Sequence, residues 1–236
     1  MGRNNFFQFK EFRVIQEKAA MKVGIDSVLL GAWACFDGAG RILDIGTGTG
    51  LLALMAAQRS QATVDAVELE PEAALDACAN FNNSGWQSRL NLYICAIQSY
   101  EPDVCYDHII SNPPFFENSS KSVDAKRTTA RHSDTLTLSE LLKKAVSMLN
   151  ENGKISLILP VDKEERLRYL AREEGVYLSR FSRVSPDARK SPHRILVELS
   201  RQEVPLHEFP IAIRQAGSSQ YSEQYRQLTK EFYLAF

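Results

Sequence analysis

The ten residues RILDIGTGTG, at positions 41–50, decide how the chain folds. The apolar run Arg41–Ile45 is typical of a β-strand, and it ends at three glycines separated by single threonines. The nine residues that follow, Leu51–Arg59, have the composition of a helix. Glycines allow positive φ values and let a ligand approach the backbone without meeting a Cβ atom. A strand, a glycine turn and a helix in this order indicate a ligand-binding turn at the carboxyl edge of a parallel sheet.

Outward from this segment, short apolar runs alternate with helical stretches. Six further strands are predicted at Thr63–Leu69, Leu90–Cys95, Asp107–Ser111, Gly153–Pro160, Val176–Val184 and Arg194–Ser200. Further helices are predicted at Ser27–Cys35, Glu72–Asn80, Leu138–Leu149, Lys163–Glu174 and Tyr221–Ala235. The pattern predicts an α/β fold with a mostly parallel seven-stranded sheet and helices on both faces. The last two strands lie close together with no helix between them, which predicts an antiparallel last strand.

The length of 236 residues suits one α/β domain. We expect an N-terminal extension at 1–36, a core at 37–203 and a tail with a final helix at 204–236. Lysine and arginine total 28 against 29 acidic residues, a formal net charge of -1. This balance excludes a protein that is basic over its whole surface and binds nucleic acid in that way. It is compatible with one local basic surface.

Three further classes are disfavoured by the sequence. The N-terminus lacks the apolar stretch of a signal peptide, and no run approaches the ~18 apolar residues of a membrane span, so we expect a cytoplasmic protein without a membrane partner. The four cysteines form no C-x-x-C pair and the four histidines are scattered, so we expect no metal site.

The spacing of the glycines narrows the choice of ligand. A dinucleotide site favours G-x-G-x-x-G, whose third glycine would come one residue after Gly50, and a phosphate-binding P-loop ends in Gly-Lys-Ser/Thr. Neither pattern fits. Asp44-x-Gly46-x-Gly48-x-Gly50 instead resembles motif I of the methyltransferases that use S-adenosylmethionine (SAM), which have a Rossmann-like class I fold. The resemblance implies that this loop passes the methionine and ribose of SAM, and that Asp44 reaches the methionine amino group.

A carboxylate at the end of the second strand is the expected companion of this loop. Glu68 fills that place, and its two oxygens could accept hydrogen bonds from both ribose hydroxyls. Members of this superfamily often carry an Asp after the third strand for the adenine amino group. Ala96 occupies that place here, so a backbone group or Gln98 would make the contact.

The hexapeptide Ser111-Asn112-Pro113-Pro114-Phe115-Phe116 follows the fourth strand. Two prolines remove two backbone donors, so the carbonyls of Asn112 and Pro113 are available as acceptors beside the Asn112 amide oxygen. Such acceptors suit the two N–H donors of a planar amino group, and Phe115 could stack on the ring that bears it. Asn-Pro-Pro-Phe resembles motif IV of methyltransferases that act on planar nitrogens, which implies catalytic roles for Asn112, Pro113, Pro114 and Phe115, with Asn112 also beside the cofactor.

Both ends of the chain resemble one family. The pattern Phe9-x-x-Phe12 followed by AMKVGIDSVLLGAW at 20–33, the tripeptide Pro192-His193-Arg194 and the tail from Tyr221 are similar to the bacterial tRNA(valine) adenine-N6 methyltransferases. With motifs I and IV, the resemblance covers nearly the whole chain. It implies SAM-dependent methylation of the adenine at position 37, in the anticodon loop of tRNA. It also implies that Lys22 and Asp26 line the cofactor pocket, although residues supporting the Ser27 helix would show the same sequence.

Two stretches of the chain are enriched in basic residues and flank the proposed site. They predict a face that contacts RNA phosphates. The candidate RNA-binding residues are Lys121, Lys126, Arg127, Arg131, Arg189, Lys190, His193 and Arg194, with Arg180 and Arg183 in the second stretch.

Rival interpretations remain open. Motif IV is shared by enzymes that methylate N2 of rRNA guanine and the glutamine amide of release factors. A non-catalytic RNA-binding protein that has kept the fold would show no SAM binding. A nicotinamide dehydrogenase is disfavoured by the glycine spacing and by the lack of a convincing Tyr–Lys or His–Asp pattern.

Overall fold

A computed structural model describes residues 4–114 and 136–236 of the chain. Its strands are β1 (Phe6–Gln8), β2 (Arg13–Ile15), β3 (Arg41–Ile45), β4 (Thr63–Glu68), β5 (Leu90–Ile94), β6 (Tyr106–Ser111), β7 (Leu149–Pro160), β8 (Tyr177–Asp187), β9 (Arg194–Ser200), β10 (His207–Glu208) and β11 (Ile211–Arg214). Its α-helices are α1 (Ile25–Trp33), α2 (Leu51–Arg59), α3 (Pro71–Asn82), α4 (Leu138–Ser147), α5 (Glu164–Glu173) and α6 (Glu223–Thr229).

The main sheet has the order β10-β8-β9-β7-β6-β3-β4-β5, with β11 also paired to β8. Strands β3 to β7 pair in parallel, and β9 runs antiparallel between β7 and β8. All seven predicted strands are present, and the antiparallel last strand is confirmed. The predicted number is nevertheless wrong, because the described part of this sheet has nine strands. The additional β10 and β11 come from the tail and pair in parallel with β8.

The N-terminal extension forms a β1–β2 hairpin that is attached to α3. The Asn80 side chain accepts a hydrogen bond from Ile15 N at 2.7 Å and donates to Ile15 O at 2.9 Å and to Thr49 O at 2.8 Å. Asn80 therefore ties the extension to the glycine turn. Period-2 alternation over three residues is too short to have predicted either strand.

Buried side chains form two clusters on opposite faces of the sheet. One contains α1, α2 and the hairpin, and the other contains α4 and α5. Successive residues of β3 alternate between them, with Ile42 in the first and Leu43 in the second. The prediction of helices on both faces is confirmed.

The final helix is shorter than predicted, because α6 ends at Thr229 rather than Ala235. The backbone turns there, with Phe232 N bonded to Thr229 O at 3.0 Å. This turn buries Phe232 and brings the Tyr233 ring 6.0 Å from the Phe9 ring. Tertiary packing of aromatic side chains thus overrides the helical pattern of the tail.

Candidate active site

Three predicted site residues meet at the carboxyl edge of the sheet. Asp44 lies near the end of β3, Glu68 ends β4 and Asn112 follows β6. These strands are neighbours and run in parallel, so their carboxyl ends share one edge. Ser111, the last residue of β6, donates its hydroxyl to Ile45 O at 2.7 Å and fixes the start of the Asn112 segment against β3.

The glycine turn has the conformation that its sequence requires. Gly46, Gly48 and Gly50 have φ values of +71°, +58° and +82°, in the left-handed region that favours glycine. A Cβ on Gly50 would lie 2.5 Å from the Phe81 ring, so this glycine serves packing against α3. No described atom lies within 4 Å of a Cβ built at Gly46 or Gly48. Those two positions border open space that a ligand can enter.

The Asp44 carboxyl group is fully buried and only half satisfied. Its Oδ2 accepts hydrogen bonds from Thr47 Oγ1 at 2.5 Å and Ala53 N at 3.1 Å. Its Oδ1 has no partner in the described part of the chain. Burial raises the pKa of Asp44 to about 7, against the lowering effect of the Thr47 and Ala53 hydrogen bonds, and the nearby Glu68 raises it further. A buried acceptor without a partner fits a cationic ligand group.

Glu68 is oriented by the backbone around it. Its Oε2 accepts from Gly48 N at 2.7 Å and its Oε1 from Glu70 N at 2.9 Å. The carboxylate is therefore locked beside the glycine turn while its side chain stays 8% exposed. Each carboxylate oxygen can accept a second hydrogen bond, so both remain available to a pair of hydroxyls.

Asn112 carries the second unsatisfied acceptor. Its Nδ2 donates to Ser27 Oγ at 2.8 Å, whereas its Oδ1 is buried and has no partner among the described residues. Pro113 and Pro114 line an apolar depression together with Leu138 and Leu159. Phe115, the predicted stacking residue, lies outside the described residues.

The other predicted cofactor residues have varied surroundings. Lys22 Nζ donates to Asn4 O at 3.0 Å and Gln16 O at 3.1 Å, which joins the extension to the segment before α1. Asp26 Oδ2 accepts from Arg194 Nε at 2.7 Å. Ala96 lies two residues beyond β5, close in register to Glu68, which pairs with Ile94. Roles for these three residues toward a cofactor stay predictions.

Four of the predicted RNA-binding residues lie outside the described residues: Lys121, Lys126, Arg127 and Arg131. Arg189 and Lys190 are exposed on the turn between β8 and β9, at the same edge as Asn112. His193 is fixed through its backbone, since its N donates to Val184 O at 2.9 Å. Arg194 donates through Nη1 to His193 O at 3.0 Å and pairs with Asp26, so it faces α1.

Arg180 and Arg183, which belong to the second basic stretch, both pair with acidic residues of the fold, and their contact with RNA stays a prediction. Arg180 lies within β8, contacts the buried Glu198 at 3.3 Å and has its guanidinium 4.2 Å from the centre of the Trp33 ring. Arg183 is paired with Glu164 at 2.7 Å and also with Glu208. Both guanidinium groups therefore have acidic partners within the fold. Those partners are distant in sequence, so the sequence alone did not indicate the ion pairs.

Two residues of the site were not predicted. Thr47 could have been found, because a hydroxyl three residues after Asp44 in a turn can reach its carboxylate. Ser27 has its partner Asn112 85 positions away, and no local pattern indicates that pairing.

Within residues 4–114 and 136–236, no group of three or more His, Cys, Asp or Glu side chains could hold a metal ion. No helix in the same ranges is long and apolar enough to cross a membrane.

Comparison with known proteins identifies close relatives. The model of a family described as methyltransferase small domain matches residues 27–170. A tRNA1(Val) (adenine(37)-N6)-methyltransferase of Parabacteroides distasonis is 45% identical over 233 residues, covering 98% of each chain. A protein of the same name from Trichodesmium erythraeum is 43% identical over 242 residues, covering 100% of each.

Solved structures share the fold at low sequence identity. A predicted O-methyltransferase from Agrobacterium tumefaciens is similar with a TM-score of 0.67, at 18% identity over 88% of this chain and 96% of that one. TYW2 from M. jannaschii, solved in complex with AdoMet, has a TM-score of 0.58, at 14% identity over 86% of this chain and 89% of that one. The Rossmann-like class I methyltransferase fold is thereby confirmed.

Proposed function

We propose that this chain, which belongs to the methyltransferase small domain family and within it to the tRNA1(Val) (adenine(37)-N6)-methyltransferases, transfers a methyl group from SAM to N6 of an adenine in tRNA. The observation that carries the mechanism is the buried Oδ1 of Asn112 at the carboxyl edge of the sheet, which has no partner within residues 4–114 and 136–236. A buried hydrogen-bond acceptor without a donor lowers the stability of the fold. An amino group of the substrate would supply that donor.

The residues at the edge fit SAM. Asp44 Oδ1 would accept from the methionine ammonium, and the charge would favour the ionised carboxylate. Glu68, held by Gly48 N and Glu70 N, would accept from the two ribose hydroxyls. Gly46 and Gly48 leave space against the backbone that a side chain would otherwise occupy. Lys22, Asp26 and Ala96 complete the proposed pocket.

Catalysis would consist mainly of alignment and polarisation. SAM would supply a methyl group on a positive sulfonium, whose departure as the neutral thioether S-adenosylhomocysteine is favourable. Asn112 Oδ1 and the Pro113 carbonyl would accept hydrogen bonds from the two N–H groups of the adenine amino group and localise its lone pair toward the methyl carbon. The proton can leave to water after transfer, so no general base is required. Pro114 and Phe115 would hold the plane of the base.

The proposed target is position 37, in the anticodon loop of a valine tRNA in the cytoplasm. The close relatives carry that position in their names. A base in a single-stranded loop is already free of a Watson–Crick partner, so moving it into a pocket costs little. Arg189 and Lys190, exposed at the same edge, would contact flanking phosphates, as would the basic residues at 121–131.

Tritiated SAM with bulk tRNA, rRNA and release factor in separate reactions tests the proposal. We expect label in tRNA alone, and in valine tRNA when the pool is fractionated. Label confined to rRNA or to release factor would overturn the tRNA assignment and move it to guanine N2 or to a glutamine amide. No transfer to any of the three, together with no SAM binding by calorimetry, would indicate a non-catalytic RNA-binding protein instead.

A further inference from the structure

Ser27 and Asn112 are far apart in sequence and touch at the site. Ser27 lies in the first turn of α1, and its Oγ accepts the Asn112 Nδ2 hydrogen bond at 2.8 Å. The Asn112 Oδ1 on the other side of the same amide has no partner in the described chain. The hydroxyl therefore occupies the nitrogen end of the amide, and no side chain or backbone group of the described residues occupies the oxygen end.

This contact fixes where the Asn112 amide lies. A serine hydroxyl can donate as well as accept a hydrogen bond, so Ser27 restrains the position of the amide rather than selecting one of its two ends. In the arrangement seen, Nδ2 is bonded to Ser27 and Oδ1 can accept from an amino group. We infer that Ser27 is a positioning residue that holds the Asn112 side chain in place for the methyl acceptor; the inference rests on the proposed function.

The helix that carries Ser27 is itself held in place. Asp26, the preceding residue, is paired with Arg194 at the start of β9, at 2.7 Å. Further along α1, a Cβ on Gly31 would lie 2.6 Å from Met55 Sδ, so α1 and α2 pack at close range. The segment Val28–Trp33 is buried. The Ser27 hydroxyl is therefore presented to Asn112 by a rigid element rather than by a loop.

A displacement of about 1 Å at a reacting centre can cost about 100-fold in rate. We expect Ser27→Ala to lower kcat by about 10- to 100-fold, because the amide then rotates among orientations. The Kd of SAM and the KM of tRNA should change less than about twofold, since the other site contacts remain. Ser27→Thr keeps the hydroxyl and should restore kcat to within about threefold of the wild type.

A second serine provides a matched control. Ser222 is the N-cap of α6, and its Oγ accepts from Tyr225 N at 3.0 Å. Loss of an N-cap lowers helix stability by more than loss of the Ser27 hydroxyl should. Ser222→Ala should therefore lower the Tm more than Ser27→Ala and leave kcat unchanged. A kcat that follows the Tm across both variants would reduce Ser27 to a structural role and overturn the inference.

Two further measurements on the full chain decide the point. In a cycle with Asn112→Ala, the Ser27→Ala change should have no further effect on kcat, because it acts through Asn112; additive losses would contradict this. The side-chain amide NMR signals of Asn112, identified by their absence in Asn112→Ala, should shift and exchange faster in Ser27→Ala. Unchanged signals would overturn the inference even if kcat falls. This readout needs no tRNA, so an inactive wild type would refute the proposed function and still leave Ser27 testable.

Discussion

Two buried aspartates on neighbouring strands differ in how many of their carboxylate oxygens have hydrogen-bond partners. Asp65 of β4 has both oxygens satisfied, by Asn91 Nδ2 at 2.8 Å and by the Tyr106 hydroxyl at 2.7 Å. Asp44 of β3 is equally buried and has one oxygen satisfied, while Oδ1 has no partner in the described chain. A buried polar group normally finds its partners within the fold. The difference distinguishes Asp65, whose partners lie within the fold, from Asp44, which we propose binds a ligand.

Asn80 and Asn112 differ in the same way as the two aspartates, in how completely their side chains are hydrogen-bonded. Asn80 donates to two carbonyls and accepts from one N–H, and so connects the hairpin, α3 and the glycine turn. Asn112 has its nitrogen end bonded to Ser27 and its oxygen end without a described partner. Both incomplete groups, Asp44 and Asn112, lie at the carboxyl edge. The proposed site therefore combines the expected residue types with two buried acceptor atoms that have no partner among the described residues.

Asn112→Ala should produce the largest effect. Removing the acceptor for the substrate amino group should lower kcat by about 10³-fold, the upper range for a lost polar contact to a transition state. Calorimetry should show SAM binding within about threefold of the wild type. Asn150→Ala is the matched control, because Asn150 bonds Asp107 through one amide N–H at 2.6 Å. Near-normal transfer by Asn112→Ala would contradict the role assigned to this amide.

Asp44→Asn should weaken SAM binding by about 100-fold, because a charged hydrogen bond to the methionine ammonium becomes a neutral one that presents a donor. The free energy of unfolding without SAM should not fall, since the cost of burying a carboxyl group near its pKa is removed. Calorimetry and urea unfolding on the same preparation give both numbers. An unchanged SAM Kd would place the ammonium elsewhere.

Asp65→Asn should lower the free energy of unfolding and leave SAM binding almost unchanged, which is the reverse of the effect expected for Asp44→Asn. One of its two donors, Tyr106 or Asn91, would face an amide N–H in place of an oxygen, at a cost of about 2 kcal/mol in the free energy of unfolding. SAM affinity should stay within about twofold, because Asp65 has its partners inside the fold. A loss of SAM binding in a folded Asp65→Asn variant would abolish the distinction between the two aspartates.

The pH dependence of SAM binding should follow Asp44. Its pKa is raised from 3.8 to about 7 by burial, so the carboxyl group is protonated and neutral below about pH 7 in the free protein. Binding a cationic ammonium then requires loss of that proton, and affinity should weaken by up to about tenfold per pH unit below 7. Above pH 7 it should level off. Asp44→Asn should remove this dependence, and a retained slope would assign it to another group.

The same shift affects the SAM-free protein. The carboxyl group is protonated in the folded state and ionised in the unfolded state between about pH 4 and 7. The unfolded state therefore binds fewer protons, and the contribution of Asp44 to stability is lost as the pH rises through about 7. Thermal unfolding of wild type and Asp44→Asn across that range should show the difference shrinking toward low pH.

Local signals predicted most of the framework. The glycine turn, the seven core strands and the positions of Asp44, Glu68 and Asn112 all follow from residue periodicity and motif spacing. The strands β10 and β11 escaped prediction because two- and four-residue strands have too little pattern, and their pairing with β8 depends on the tail folding back. Arg180 could not be separated from a surface charge, since Glu198 and Trp33 approach it only in the folded chain.

The central claim is that Asn112 directs a methyl group to adenine N6. Nucleoside mass spectrometry of unmodified valine tRNA, incubated with SAM and either the wild type or Asn112→Ala, tests it most directly. We predict N6-methyladenosine at position 37 with the wild type and almost none with the SAM-binding variant. Methylated guanine, or undiminished N6-methyladenosine from Asn112→Ala, would contradict the account.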